Sequence, residues 1–286
     1  MIFFLREGFF FSLFTYTSQW FPFFLVFIIP ALIINHGKLE ISKLVEFFFY
    51  FSPWFLAVLI YENLTALTIH INMPLVDLQL YQADILLFGE TPSVFLQNFI
   101  DPTLTYVLFT TYVFVYILSP VFLGGYIFLK KGKEKFSEYS HAVVLTMLIG
   151  FVVYFIVPGV GPEVYFPDKY TMDVYGDTII PPDIMRDIQR YPKNAFPSMH
   201  TALTTLALLF SFKNDKKAFY LFLIPVLLLW FSTIYLRQHY FVDLLAGWAL
   251  ALLAYKYAPS IHQKAKSLFI NYFQNFNSYT IIGTKK

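Results

Sequence analysis

Apolar residues gather into runs of span length, separated by polar breaks that alternate in character along the chain. The runs cover Phe9 to Ile34, Leu44 to Ile69, Thr103 to Leu129, Tyr139 to Val157, Ser198 to Phe212, Phe219 to Leu236 and His239 to Ala258. A bilayer core about 30 Å thick is crossed by roughly 20 apolar residues in a helix. The pattern therefore predicts an all-α, polytopic membrane helix bundle of about seven spans. Phe9 to Ile34 is too long for a signal-peptide core and shows no small-residue cleavage pattern, so it reads as a retained span. Pro53 fits inside the second run because neighbouring helices can satisfy the backbone group it frees.

The breaks are just as informative. Asn72 to Pro102 carries Asp77, Asp84, Glu90 and Asp101 without a Lys or Arg, which predicts surface or interfacial helices after the second span. Pro158-Gly159-Val160-Gly161-Pro162 ends the fourth run sharply. Glu163 to Lys193 then forms one long polar loop, and loops of that length commonly carry function.

Composition removes the soluble alternative: 58% of residues are hydrophobic and 13% charged, against about 25% charged in an ordinary soluble domain. No linker or repeat divides the chain, so residues 1–286 read as a single membrane domain, with 103–258 as its core and 1–102 as N-terminal spans and interfacial segment. A net charge of +2, with lysines at helix ends, gives no surface for nucleic acid. The absence of cysteine removes disulfides and thiolate chemistry.

Lysine placement assigns the sides. The loops at 36–43, 130–138 and 213–217 and the tail from 256 hold 14 of the 20 Lys and Arg residues, so they face the cytosol by the positive-inside rule. Lys264 and Lys266 suit anionic headgroups there. The N-terminus and the 163–193 loop are then exoplasmic, in a cytoplasmic membrane.

Two short signatures supply the candidate chemistry. Phe196-Pro197-Ser198-Met199-His200 contains a helix-start signal, with Ser198 as N-cap, and a helix start presents backbone N–H groups and positive dipole charge to an anion. His239-Tyr240-Phe241-Val242-Asp243 places His239 and Asp243 four residues apart, on one helical face, where the carboxylate can orient an imidazole. The two runs between the signatures return the chain to the side it left, so His200, His239 and Asp243 share the exoplasmic face. Ionisable residues at membrane depth are functional by default. As metal ligands the same three residues would make a hydrolase, but the helix start suits phosphate better; no metal and no cofactor is expected.

These residues resemble the type 2 phosphatidic acid phosphatase superfamily, which carries a Pro-Ser-x-His element and a His-x-x-x-Asp element about two spans apart. Asp84 to Ser93, reading D-x-x-L-F-G-x-x-P-S, further resembles the branch that contains inositol phosphorylceramide synthases. The likeness covers roughly Asp84 to Leu253. It implies that His239 attacks phosphorus to give a phosphohistidine, that Asp243 activates it, and that His200 protonates the leaving oxygen. Its implied partners are a membrane lipid substrate and a polyol or other alcohol acceptor.

The family's cationic elements are altered. No Arg-Pro dipeptide occurs, and Ser232-Thr233 stands where a Ser-Arg pair is usual. Arg186, Arg190 and Lys193 are the candidate replacements, the first two one helical turn apart, because guanidinium groups make bidentate contacts with phosphate. Arg237 is set aside, since two residues before His239 on a continued helix it points elsewhere. The expected activity is a lipid headgroup transferase. The alternatives are a lipid phosphate phosphatase, with water as acceptor, and a catalytically silent lipid-binding or transport protein.

Overall fold

A computed structural model describes residues 49–54, 56–57, 73–176 and 193–283, with side chains through Leu268. The predicted span at 9–34 therefore lies outside the described residues, as do Arg186 and Arg190, and of the predicted span at 44–69 only 49–54 and 56–57 are described. The described residues form helices and short turns. In chain order these are α1 (Asp77–Phe88), α2 (Pro92–Leu96), α3 (Pro102–Lys131), α4 (Lys133–Ile156), α5 (Pro162–Tyr165), α6 (Met199–Asn214), α7 (Lys216–Tyr235) and α8 (Phe241–Gly283).

Helices α3 and α7 begin at side-chain caps that the sequence offers. Asp101 accepts from the Leu104 N–H, ahead of Pro102 at the first helical position of α3. Asp215 closes α6 and opens α7, accepting from the Lys217 and Ala218 N–H groups. Between α3 and α4 the expected cationic loop contracts to Gly132, at φ 89°. Lys and Glu are good helix formers, so 133–138 winds into the first turns of α4 instead of remaining a loop. Likewise α8 runs through Pro259 and beyond the expected end of the last span.

Among the described residues, four helices are long and apolar enough to cross a membrane: Pro102–Lys131, Lys133–Ile156, Lys216–Tyr235 and Phe241–Leu268. The 16-residue α6 differs. At 1.5 Å per residue it is about 24 Å long, less than a bilayer core. It is also the most enclosed helix, packed by α3, α4, α7 and α8. Met199, Ala202, Leu206, Ala207 and Phe210 join Tyr139, Ala142 and Val143 of α4 and Leu250, Ala251 and Ala254 of α8 in one core. Gly247, Ala251, Ala254 and Ala258 are small, which lets α8 approach closely in the manner of membrane helices. At Gly247 a Cβ would stand 2.5 Å from the Ser198 carbonyl oxygen, so no larger residue fits there without displacing backbone. The faces turned outward are apolar, with Leu221, Leu227 and Phe231 on α7 and Leu245, Leu252 and Leu253 on α8 exposed.

The helices alternate in direction, so the lysine clusters collect at one end. There Lys213 pairs with Glu138 at 2.6 Å, Lys131 pairs with Asp215 at 3.5 Å, and Tyr126 donates to Asp215. The Tyr126 hydroxyl beside Asp215 holds its carboxyl down to about 2. The starts of α6 and α8 lie at the opposite end.

Candidate active site

The site is built on two helix starts and the turn between α7 and α8. Ser198 caps α6 as expected, its Oγ accepting from the Thr201 N–H at 3.3 Å and lying 3.2 Å from Thr201 Oγ1. Its hydroxyl is fully buried and engaged with Thr201, so any contact it offers a ligand comes from the backbone around it. The Ser198 N–H donates to the Asp243 carbonyl at 3.1 Å, tying the two helix starts together.

His239 and Asp243 meet, though by a different route from a shared helical face. Helix α8 begins at Phe241, and His239 belongs to the turn before it, its N–H bonded back to the Thr233 carbonyl at 3.2 Å. Asp243 Oδ2 accepts from the Tyr240 N–H at 2.8 Å, which is the reach-back half of a capping box. The same oxygen lies 3.3 Å from His239 Nδ1. One carboxylate thus caps the helix and holds the imidazole. His239 Nε2 then stands 3.5 Å from His200 Nδ1, which completes the row Asp243, His239, His200. His239 and Asp243 are buried, and His200 is partly open.

Two further carboxylates fix this end of the bundle from the interfacial segment. Asp84 accepts from the Phe241 and Val242 N–H groups at 3.0 and 3.1 Å and from the Thr91 hydroxyl at 2.7 Å. Asp77 accepts from the Val160 and Gly161 N–H groups, near the tyrosine of the His-Tyr-Phe-Val-Asp element, Tyr240. Burial pushes both carboxyls up, and the N–H donors oppose that rise. The motif residue Asp84 was visible in sequence, but its partners are 157 and 158 positions away, so its role was not.

Arg237 also departs from expectation. It is buried, sits at φ 61° in the turn after α7, and so follows no continued helix. Its guanidinium pairs with Glu163 at 3.0 Å, donates to the Met172 carbonyl at 2.6 Å and lies over the Tyr170 ring. It thus ties the 163–172 segment down beside the site. Gly161, at φ 87°, has no room for a Cβ, which would lie 2.7 Å from the Gln238 carbonyl. Lys193 is half-buried in a turn at φ 67°, leading to Ala195, whose N–H bonds to the Gly159 carbonyl. The rings of Tyr112 and Tyr116 flank His200 at 4.2 and 4.1 Å between centroids. These tyrosines belong to no sequence motif; their spacing of four places them on one face of α3.

The family profile of the PAP2 superfamily matches residues 79–257, more than half the chain, and includes Asp84, His200, His239 and Asp243. The chain belongs to the PAP2 superfamily. Among curated proteins it is 43% identical over 68 residues to the inositol phosphorylceramide synthase catalytic subunit of Saccharomyces cerevisiae, covering 24% of this chain and 17% of that one. It is 24% identical to the phosphoinositol dihydroceramide synthase of Bacteroides thetaiotaomicron, across 56% of this chain and 57% of the relative. The inositol phosphorylceramide synthase of Candida albicans is also 24% identical, across 61% and 41%. The chain thus spans less than two thirds of the length of each of these relatives. No solved structure matches it.

Proposed function

We propose that this PAP2-superfamily protein is a lipid headgroup transferase that works through a phosphohistidine on His239. The observation that carries the reading is the row Asp243, His239, His200, with its 3.3 and 3.5 Å separations. Asp243 accepts the Nδ1 proton of His239, which leaves the Nε2 lone pair directed at His200 and at a phosphorus atom placed between them. Nε2 attacks, the bond from phosphorus to the lipid oxygen breaks, and His200 gives that oxygen its proton. Asp243 stabilises the charge that forms on the ring. Neutral His200 then takes the proton of an acceptor hydroxyl, whose oxygen attacks phosphorus and releases His239.

The start of α6 is the phosphate cradle in this reading, with Ser198 setting its geometry. Arg186, Arg190 and Lys193 supply the cations that other family members carry elsewhere in sequence. The synthase relatives support a phosphoinositol-type headgroup and a ceramide-type acceptor as the lipids to try first. Seven spans in a single domain, with core 103–258, complete the picture in a cytoplasmic membrane. The site then faces the exoplasmic side, a placement supported by the lysines of 130–135 and 213–217 at the opposite helix ends.

Purified protein incubated with a phosphoinositol lipid labelled in the headgroup, with and without ceramide, tests this directly. Transfer to ceramide and an acid-labile label on His239 are expected, both lost in His239→Ala by about a thousandfold or more. Label released only to water makes the enzyme a phosphatase, and turnover that survives His239→Ala removes the mechanism. Arg186→Ala and Arg190→Ala are expected to weaken donor binding; unchanged affinity would take the phosphate role from them.

A further inference from the structure

We infer that Tyr112 and Tyr116 of α3 are positioning residues that clamp the His200 ring and keep a proton on it for the leaving oxygen. The two tyrosines are four residues apart and so lie on one face of the helix. Tyr112 stacks on His200 at 4.2 Å and 27° between planes, and Tyr116 lies at 4.1 Å and 37°. The imidazole is therefore bordered by two aromatic rings, and it meets His239 edge to face at 5.6 Å. Its other neighbours do little to hold a charge. It stands in the first turn of α6, at the positive end of the helix dipole. His239 faces it from the turn before α8, with Asp243 reaching it only through that ring. Tyr154 of α4 spends its hydroxyl on the Pro197 carbonyl, and the α7 side chain on this stretch, Trp230, donates to Thr204. Arg237 is turned away toward Glu163.

An acid in this position works against its surroundings, and aromatic faces are what attract its charged form. A phenol ring presents negative π density to a cation, and contact with two rings, one stacked and one tilted, also restricts rotation of the imidazole, so Nδ1 stays aimed at the gap shared with His239. The clamp rests on the catalytic role proposed above for His200. It adds what that role needs, a means of holding one proton at one atom until the bond from phosphorus to the lipid oxygen breaks.

The test compares substitutions that keep or remove the ring faces. Tyr112→Phe and Tyr116→Phe are expected to keep kcat within about threefold. The leucine variants, singly and together, are expected to lose about 10- to 100-fold in kcat with little change in KM. The alkaline limb of their rate profile moves to lower pH. A donor with a nitrophenol leaving group, which needs no proton, restores most of the leucine variants' rate. Tyr116→Leu, at the more open position, serves if the double variant folds poorly. Equal losses with both leaving groups, or an unmoved alkaline limb, would overturn the clamp while leaving the phosphohistidine reading intact, provided His200→Ala still shows the leaving-group effect. If His200→Ala does not show it, the acid role falls and the clamp with it.

Discussion

Helices α6 and α8 start side by side, Gly247 against the Ser198 carbonyl, yet their first turns are satisfied in opposite ways. At α8 the protein supplies its own anions: Asp84 takes the N–H groups of Phe241 and Val242, and Asp243 takes that of Tyr240. At α6 the cap is a neutral hydroxyl, Ser198, bonded to Thr201. Both helices carry the same positive end charge. Carboxylates at α8 hold the turn that presents His239, while at α6 a neutral serine leaves the end charge without a protein anion among the described residues, which the proposed mechanism assigns to phosphate. Two adjacent starts of equal intrinsic field thereby divide into a structural pin and, in the proposed mechanism, an anion site.

The comparison breaks most visibly at Asp243. Asp243→Asn keeps the shape but can offer Nδ1 a donor in place of an acceptor, so kcat is expected to fall by about 10²- to 10⁴-fold with modest loss of stability. Headgroup transfer assays alongside thermal unfolding separate the two effects. Asp84→Ala attacks the pin alone. It leaves two part-buried N–H groups at the start of α8 unpaired, with an expected loss of about 1–3 kcal/mol in unfolding free energy. Unchanged unfolding in that variant would mean that Asp84 does not hold the helix.

Ser198→Ala is the milder counterpart on the ligand side. The expected cost is about 1 kcal/mol of stability, with a rise in KM for the lipid donor that the Asp84 variant does not share. Equal KM effects in the two variants would erase the division between pin and site. The smallest effect lies at the far end, where Asp215 caps α7. The Tyr126 hydroxyl lowers its carboxyl to about 2 from an ordinary 3.8, so its contribution is present above pH 3.8 and is lost as pH falls toward 2. Asp215→Asn is expected to flatten unfolding temperature against pH in that acid window and to leave transfer at neutral pH unchanged.

Much of this site was readable because its parts are short-range. A Ser-capped helix start, a His and Asp four apart, and two intervening runs that return the chain to one side are all local patterns, and each reappears in the structure around His200, His239 and Asp243. The expected helical face joining His239 to Asp243 was replaced by a turn, because Asp243 is the third residue of α8 and folds back on Tyr240. Contact survived since both arrangements bring the same side chains within reach. The continued helix expected at Arg237 is likewise absent, replaced by a positive φ that nothing in the neighbouring residues announces, yet its guanidinium still points elsewhere, to Glu163.

Apolar run length and lysine position sufficed to set an all-helical membrane architecture, because lipid demands internally bonded backbone and charge seeks the helix ends. They could not rank the helices. That α6 is short, enclosed and ringed by the other four depends on which faces pack, and Gly247 settles its approach to α8 through a clearance visible only in three dimensions. Asp84 on the α8 start, Arg237 on the 163–172 segment and the two tyrosines around His200 join residues tens to more than a hundred positions apart. Contacts of that range arise only when the chain has folded, since hydrogen bonds and ring stacking act over a few ångströms and carry no imprint along the sequence.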